Sequence, residues 1–211
     1  MDIHNSIASL MSELGLQISG EQLASLCLQA GRQSLDNLEF LTHIISHLLE
    51  EKRHRSFDIL LKFSGIRRHK DLDSFDFNFQ PELDEALIRQ LANLDFVKAK
   101  ENIIFLAKPG RGKSHLASAL GLCCLRKGLR VYMASLTQII ERLQEAQRTG
   151  TLTNRRWSAF VRPSVLIIDD VASRQLDRNG CELFAELISR RYEKGSIIIT
   201  SNRPFSEWPK L

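Results

Sequence analysis

Lys113 and Ser114 stand at the end of a glycine-bearing turn, Ala107-Lys108-Pro109-Gly110-Arg111-Gly112, which follows a short apolar run, Ile103 to Leu106. A tight glycine turn directs its backbone N–H groups toward one point. A helix starting there aims the positive end of its dipole at the same point. A lysine in this position reaches the β- and γ-phosphates of a nucleotide, and the adjacent hydroxyl ligates Mg²⁺. The spacing therefore predicts that ATP and Mg²⁺ bind over Ala107 to Ser114. The usual pattern begins with Gly, where this chain has Ala107. Alanine resists positive φ, so the loop forms if Ala107 is extended at the strand end.

Asp169 and Asp170 close a second apolar run, Val165-Leu-Ile-Ile168. Continuous β-formers of this kind read as a strand buried on both faces, and such strands bind ligands at their C-terminal ends. Asp169 is expected to hold Mg²⁺ through water, and Asp170 to polarise an attacking water. Asn202 ends a third run, Ser196-Ile-Ile-Ile-Thr-Ser-Asn202, and can hydrogen-bond water or the γ-phosphate. Taken singly, two carboxylates after a strand or an asparagine at its end would be turn residues. Their order downstream of the glycine turn gives them a shared purpose.

These residues need strands to carry them and helices to cover the strands. Apolar strand runs alternate with helical stretches at 115–127, 136–148 and 180–192, with a further strand at 131–134. Alternation of this kind makes a doubly wound parallel sheet. The chain before it is helical. Ile3, Ile7, Leu10 and Leu14 recur at helical spacing, Ser19 and Gln22 form a capping box, and a long helix runs from Leu38 to Phe63. His43 and His47 on that helix have ligand spacing but no third partner, so they are read as ordinary helix residues. Phe75, Phe77 and Phe79 alternate with polar residues, which predicts an extended stretch. Pro81 should then open one helix from Glu82 to Lys100. The domain boundary is placed here: 1–74 a helical N-terminal domain, 75–211 the nucleotide-binding core.

The chain has 211 residues, and its 29 Lys and Arg against 25 Asp and Glu leave a formal charge of +4. That permits nucleic-acid contact without requiring it. Lys52, Arg53, Arg55, Arg67, Arg68 and Lys70 cluster around the end of the long helix. They are either a solvated face or a surface that contacts DNA phosphates. No apolar run approaches a membrane span and no signal peptide opens the chain, so a cytoplasmic protein is expected. Cys27, Cys123, Cys124 and Cys181 lack metal-site spacing and are read as buried free thiols.

The segments Phe75-Asp-Phe-Asn-Phe-Gln-Pro81, Gly110-Arg-Gly-Lys-Ser-His-Leu-Ala117, Leu166-Ile-Ile-Asp-Asp170 and Ile199-Thr-Ser-Asn-Arg-Pro-Phe-Ser-Glu-Trp208 together resemble IstB-like transposition helper ATPases. These are AAA+ proteins related to DnaC-type helicase loaders. The resemblance implies an AAA+ core, with Lys113 and Ser114 on Walker A, Asp169 and Asp170 on Walker B, and Asn202 on sensor 1. It also implies assembly with ATP on duplex DNA as a homo-oligomer, with a transposase as partner. Ala107 and Lys108 replace the usual Gly-Pro start of the loop. Family members continue past the fourth strand with a fifth strand, an arginine finger and sensor 2. A chain ending at Leu211 is thus expected to be truncated, to bind ATP, and to turn it over slowly. A helicase loader, or a nucleotide-binding DNA-interaction module without hydrolysis, are the competing readings.

Overall fold

The computed structural model describes residues 2–67, 70–171 and 173–210. Arg68, one of the basic positions, lies outside them. The chain divides into two compact units, 1–58 and 59–211. The division falls inside a helix, upstream of the 74/75 boundary expected from sequence.

The first unit is helical: α1 Ile3–Glu13, α2 Gly20–Arg32 and the start of α3, Asn37–Ser64. Each helix begins on a side-chain cap. Asp2 accepts from His4 N at 3.3 Å, and the Ser19–Gln22 capping box forms as expected. Asp36 accepts from the amides of Leu38 and Glu39 at 2.8 Å, while Glu39 reaches back to Asp36 N at 2.9 Å. These bonds satisfy helix-start donors that otherwise lack partners. Leu23, Leu26, Ile44 and Leu48 form the core. The helix expected from the apolar repeat at the start of the chain forms, as α1. Ile3, Ile7, Leu10 and Leu14 are exposed, and Ala8 is the buried residue of α1. The His43 Nε2 is buried without a partner. No group of three or more His, Cys, Asp or Glu among the described residues could hold a metal ion.

The second unit contains β1 Ile103–Leu106, β2 Val131–Ser135, β3 Val165–Val171 and β4 Ser196–Ser201, all parallel, in the order β1-β4-β3-β2. Helix α6, Lys113–Arg126, covers one face. Gly121 lets it approach so closely that an added Cβ would lie 2.9 Å from Ile167 Cδ1. Helices α7 Leu136–Arg148, α8 Asn154–Val161 and α9 Arg178–Arg191 share a second core with Leu166, Ile168, Ile197 and Ile199. Side chains of a strand alternate between faces, so Leu166 and Ile168 serve one layer while Ile167 serves the other. This is the doubly wound sheet expected. β1 pairs only with β4 among the described residues, and Ile104 and Leu106 are 40% and 38% exposed on this edge. An apolar open edge invites association.

The stretch before β1 departs from the expectation in two places. Phe77–Phe79 is one 3-10 turn rather than extended chain, because the Asp76 carboxylate caps it by accepting from Asn78 N at 3.0 Å. The helix expected from Glu82 to Lys100 is two helices, α4 Glu85–Leu91 and α5 Asp95–Ala99. Asp84, not Pro81, caps the first by accepting from Leu87 N at 3.0 Å. The break comes at Leu94, which takes φ +70°. That conformation costs about 1–2 kcal/mol in an L-residue. It lets Leu94 and Phe96 both reach the interior, and burying each such side chain is worth about 1.5–3 kcal/mol. The thiols also divide. Cys124 is buried, which pushes its thiol up to about 12, whereas Cys27 and Cys123 are half-buried and Cys181 is exposed.

Candidate nucleotide site

Ala107 continues β1, its amide donating to Ser201 O of β4 at 3.3 Å. It is not among the residues with positive φ. Its backbone therefore avoids the left-handed conformation that an alanine resists. Positive φ falls instead on Gly110 and Gly112, at +78° and +79°. The chain then turns directly into α6, whose N-terminus faces back on the loop. The Lys113 ammonium donates to the carbonyls of Ala107 at 2.7 Å and Lys108 at 3.0 Å, which draws the loop around it.

The Ser114 hydroxyl donates to Asp169 Oδ1 at 2.7 Å. This contact joins the start of α6 to the end of β3. It sets two hard oxygen donors side by side, a set suited to Mg²⁺ that keeps several of its waters. Asp169 is half-buried and Asp170 is exposed. Asp170 adopts φ +55°, and β3 slips its register against β4 between Ile168 and Val171. Such a bulge breaks the strict alternation of side chains along a strand. Asn202 is exposed in the bend after β4. Ser201 pairs with Leu106 on one side and Val171 on the other, so β4 brings Asn202 to the sheet edge between the loop and the carboxylates.

The segment 71–80 folds against this loop. His115 Nε2 lies 2.7 Å from Asp71 O and 3.2 Å from Ser74 Oγ, and the Phe75 ring meets His115 edge-on at 5.3 Å. Phe75, Phe79 and Gln80 line a pocket of about 210 Å³ with Gly110, Arg111, Gly112 and His115. A larger groove of about 730 Å³, between α7 and α8, shares none of these residues. Sequence reasoning placed Phe75 in a mere connector and missed His115 and Thr200. The signal that could have found them was that all three lie in the segments that carry the family resemblance.

Phe75 also explains why Gly112 must stay glycine. A Cβ there would lie 2.5 Å from Phe75 Cε2, on a backbone already at +79°. Gly112→Ala is expected to lose about 1–3 kcal/mol of stability from strain and overpacking. Urea unfolding checks this, and a Phe75→Ala partner change should recover the overpacking share but not the backbone share.

A parallel sheet whose first strand ends in a glycine turn and Lys-Ser, hydrogen-bonded to a carboxylate at the tip of β3, defines a P-loop nucleotide-binding protein of the AAA+ class. The family model described as "IstB-like ATP binding protein" matches residues 9–211, and the chain belongs to that family. A protein named for ATP binding in insertion sequence IS5376 of Geobacillus stearothermophilus is 36% identical over 94% of this chain and 78% of its own length. Its counterpart from IS21 of Pseudomonas aeruginosa is 36% identical over 96% of this chain and 76% of its own. Among solved structures, the DnaC helicase loader matches 56% of this chain and 68% of its own, at 28% identity and a TM-score of 0.50. AMPPCP-bound DnaA from Aquifex aeolicus matches 70% of this chain at 19% identity and a TM-score of 0.62, a likeness of fold. The chain spans 46% of that DnaA structure's length.

Proposed function

We propose that this protein is the ATP-dependent helper of an insertion-sequence transposase, binding duplex DNA and presenting it to that enzyme. The observation that carries the nucleotide half is the 2.7 Å hydrogen bond from Ser114 to Asp169, which converges the two motifs on one point. The relatives' insertion-sequence origin supports the transposition half.

In this reading the residues from Ala107 to Ser114 wrap the triphosphate, with loop N–H groups and the α6 N-terminus facing its oxygens. Lys113 exchanges its loop carbonyls for the β- and γ-phosphates. Ser114 and Asp169 hold Mg²⁺, which when bound neutralises charge developing on the phosphoryl oxygens. Asp170 accepts a proton from the attacking water and Asn202 orients it. Residues 1–74 contact DNA and partner, residues 75–211 bind ATP, and copies assemble as a homo-oligomer on DNA. Among the described residues no helix is long and apolar enough to cross a membrane, which is compatible with a cytoplasmic setting.

DNA contact is assigned to Lys52, Arg53, Arg55, Arg67, Arg68 and Lys70. Lys52, Arg53 and Arg67 are exposed, while Arg55 and Lys70 are half-buried. Contacts to phosphates release counterions, so binding should be weakly sequence-dependent and fall steeply with salt. The test is duplex binding with and without ATP–Mg²⁺ across a salt series, beside Arg67→Glu. The expected result is ATP-dependent affinity that drops about tenfold or more from low to physiological salt and is lower again in the variant. Salt-independent affinity would remove the basic cluster from the reading. The likeness to DnaC favours a second reading, a helicase loader. Preference for single strands over duplex in the same assay would select it. Phosphate release with and without DNA measures whether binding leads to turnover.

A further inference from the structure

We propose that Thr200 is the positioning residue that sets the Asp169–Asp170 pair for Mg²⁺ and ties it to the tip of β4. This rests on the reading of the loop as an ATP–Mg²⁺ site. Thr200 is 1% exposed, so its hydroxyl must find partners within the protein. It finds two. Thr200 Oγ1 donates to Asp169 Oδ1 at 2.5 Å and accepts from Asp170 N at 2.9 Å. The roles are forced, because an ionised carboxylate only accepts and a backbone amide only donates.

Both bonds act where β3 is irregular. Asp170 sits at φ +55° and the β3–β4 register slips around it. An amide at a bulge loses its ladder acceptor, and the Thr200 hydroxyl supplies a replacement. The same hydroxyl fixes the Asp169 oxygen that also receives Ser114 Oγ at 2.7 Å. Ser201 completes the clamp from the other side, donating to Val171 O at 2.7 Å and accepting from Arg203 N at 3.2 Å. Two adjacent hydroxyls on β4 therefore hold Asp169, Asp170 and Val171 of β3. Asn202 follows immediately. Any displacement of Asp169 toward a cation is felt at Thr200, and through Ser201 at Asn202. A threonine placed only for strand propensity would need neither bond, since valine fits the same space.

The experiment follows the Mg²⁺ dependence of binding of a fluorescent ATP analogue to the full chain as wild type, Thr200→Val and Thr200→Ser. Thr200→Val should raise the Mg²⁺ midpoint about tenfold, the scale of one lost hydrogen bond to a charged group. Thr200→Ser should restore it to within about twofold, as it keeps the hydroxyl. Affinity for the analogue in EDTA should be the same in all three, because the phosphate loop is untouched. An unchanged Mg²⁺ midpoint in Thr200→Val overturns the proposal. Equal weakening with Mg²⁺ and in EDTA assigns Thr200 a packing role and overturns it as well. If Thr200→Val melts below the assay temperature, Thr200→Ala carries the same expectations. Failure of the wild type to bind the analogue at all would instead remove the ATP-site reading, and this inference with it.

Discussion

Lys113→Ala should weaken ATP–Mg²⁺ binding about 10- to 150-fold, as expected for loss of one charge-assisted contact worth about 1.5–3 kcal/mol. Two effects add. The ammonium that would meet the β- and γ-phosphates is gone. The carbonyls of Ala107 and Lys108, which it now gathers at 2.7 and 3.0 Å, lose their donor and the loop opens. Calorimetric titration measures the first effect, and a melting curve without nucleotide isolates the second. Equal affinity in the two proteins would place the nucleotide elsewhere. Ala107→Gly should bind normally, because Ala107 does not take the positive φ that would demand glycine.

Arg191→Met should cost about 3 kcal/mol or more of folding stability. Arg191 is 1% exposed and no carboxylate faces it among its hydrogen-bond partners. Its Nη1 donates to the carbonyls of Phe160, Val161 and Pro163 at 2.7, 3.2 and 3.1 Å, and Nη2 donates to Ser196 O at 2.7 Å. The guanidinium thus plugs the C-terminal end of α8, where helix carbonyls lack partners and the dipole favours a cation. Burial pushes its pKa down to about 10, which leaves it charged at neutral pH. Methionine fills the volume and donates nothing, leaving buried carbonyls unsatisfied at about 1–3 kcal/mol each. Total stabilities are about 5–15 kcal/mol, so the change consumes a large share. Arg191→Lys should fall between, since one ammonium cannot span carbonyls from α8 and β4 as a planar fork does. Urea unfolding gives the values, and a loss under about 1 kcal/mol would mean that water satisfies these carbonyls instead.

Arg191 also shows what a sequence pattern conceals. Side by side, Arg190 and Arg191 read as two basic residues at a helix end. In the fold, Arg190 pairs with Glu186 at 2.7 Å and stacks 4.6 Å from the Trp157 ring, while Arg191 is wholly interior. In α1, by contrast, the repeated apolar residues lie outside. Periodicity identified the helix correctly, but which stripe is buried depends on where α2 packs. The division of 82–100 into two helices turned on Leu94, whose left-handed backbone no propensity favours and whose burial compensates.

The features legible in the sequence are local ones. The strand–glycine turn–Lys-Ser–helix order, the apolar run into Asp169 and Asp170, and the Ser19–Gln22 cap each involve residues a few positions apart. Short-range sterics and hydrogen bonding decide those outcomes. Which of these pieces meet is a matter of long-range packing. Ser114 reaches Asp169, and Thr200 reaches both carboxylate residues, because the sheet runs β1-β4-β3-β2. The strand last in sequence is inserted between the strand of the loop and the strand of the carboxylates. That insertion depends on burying both faces of β4 at once, a balance of long-range packing that no window of sequence contains.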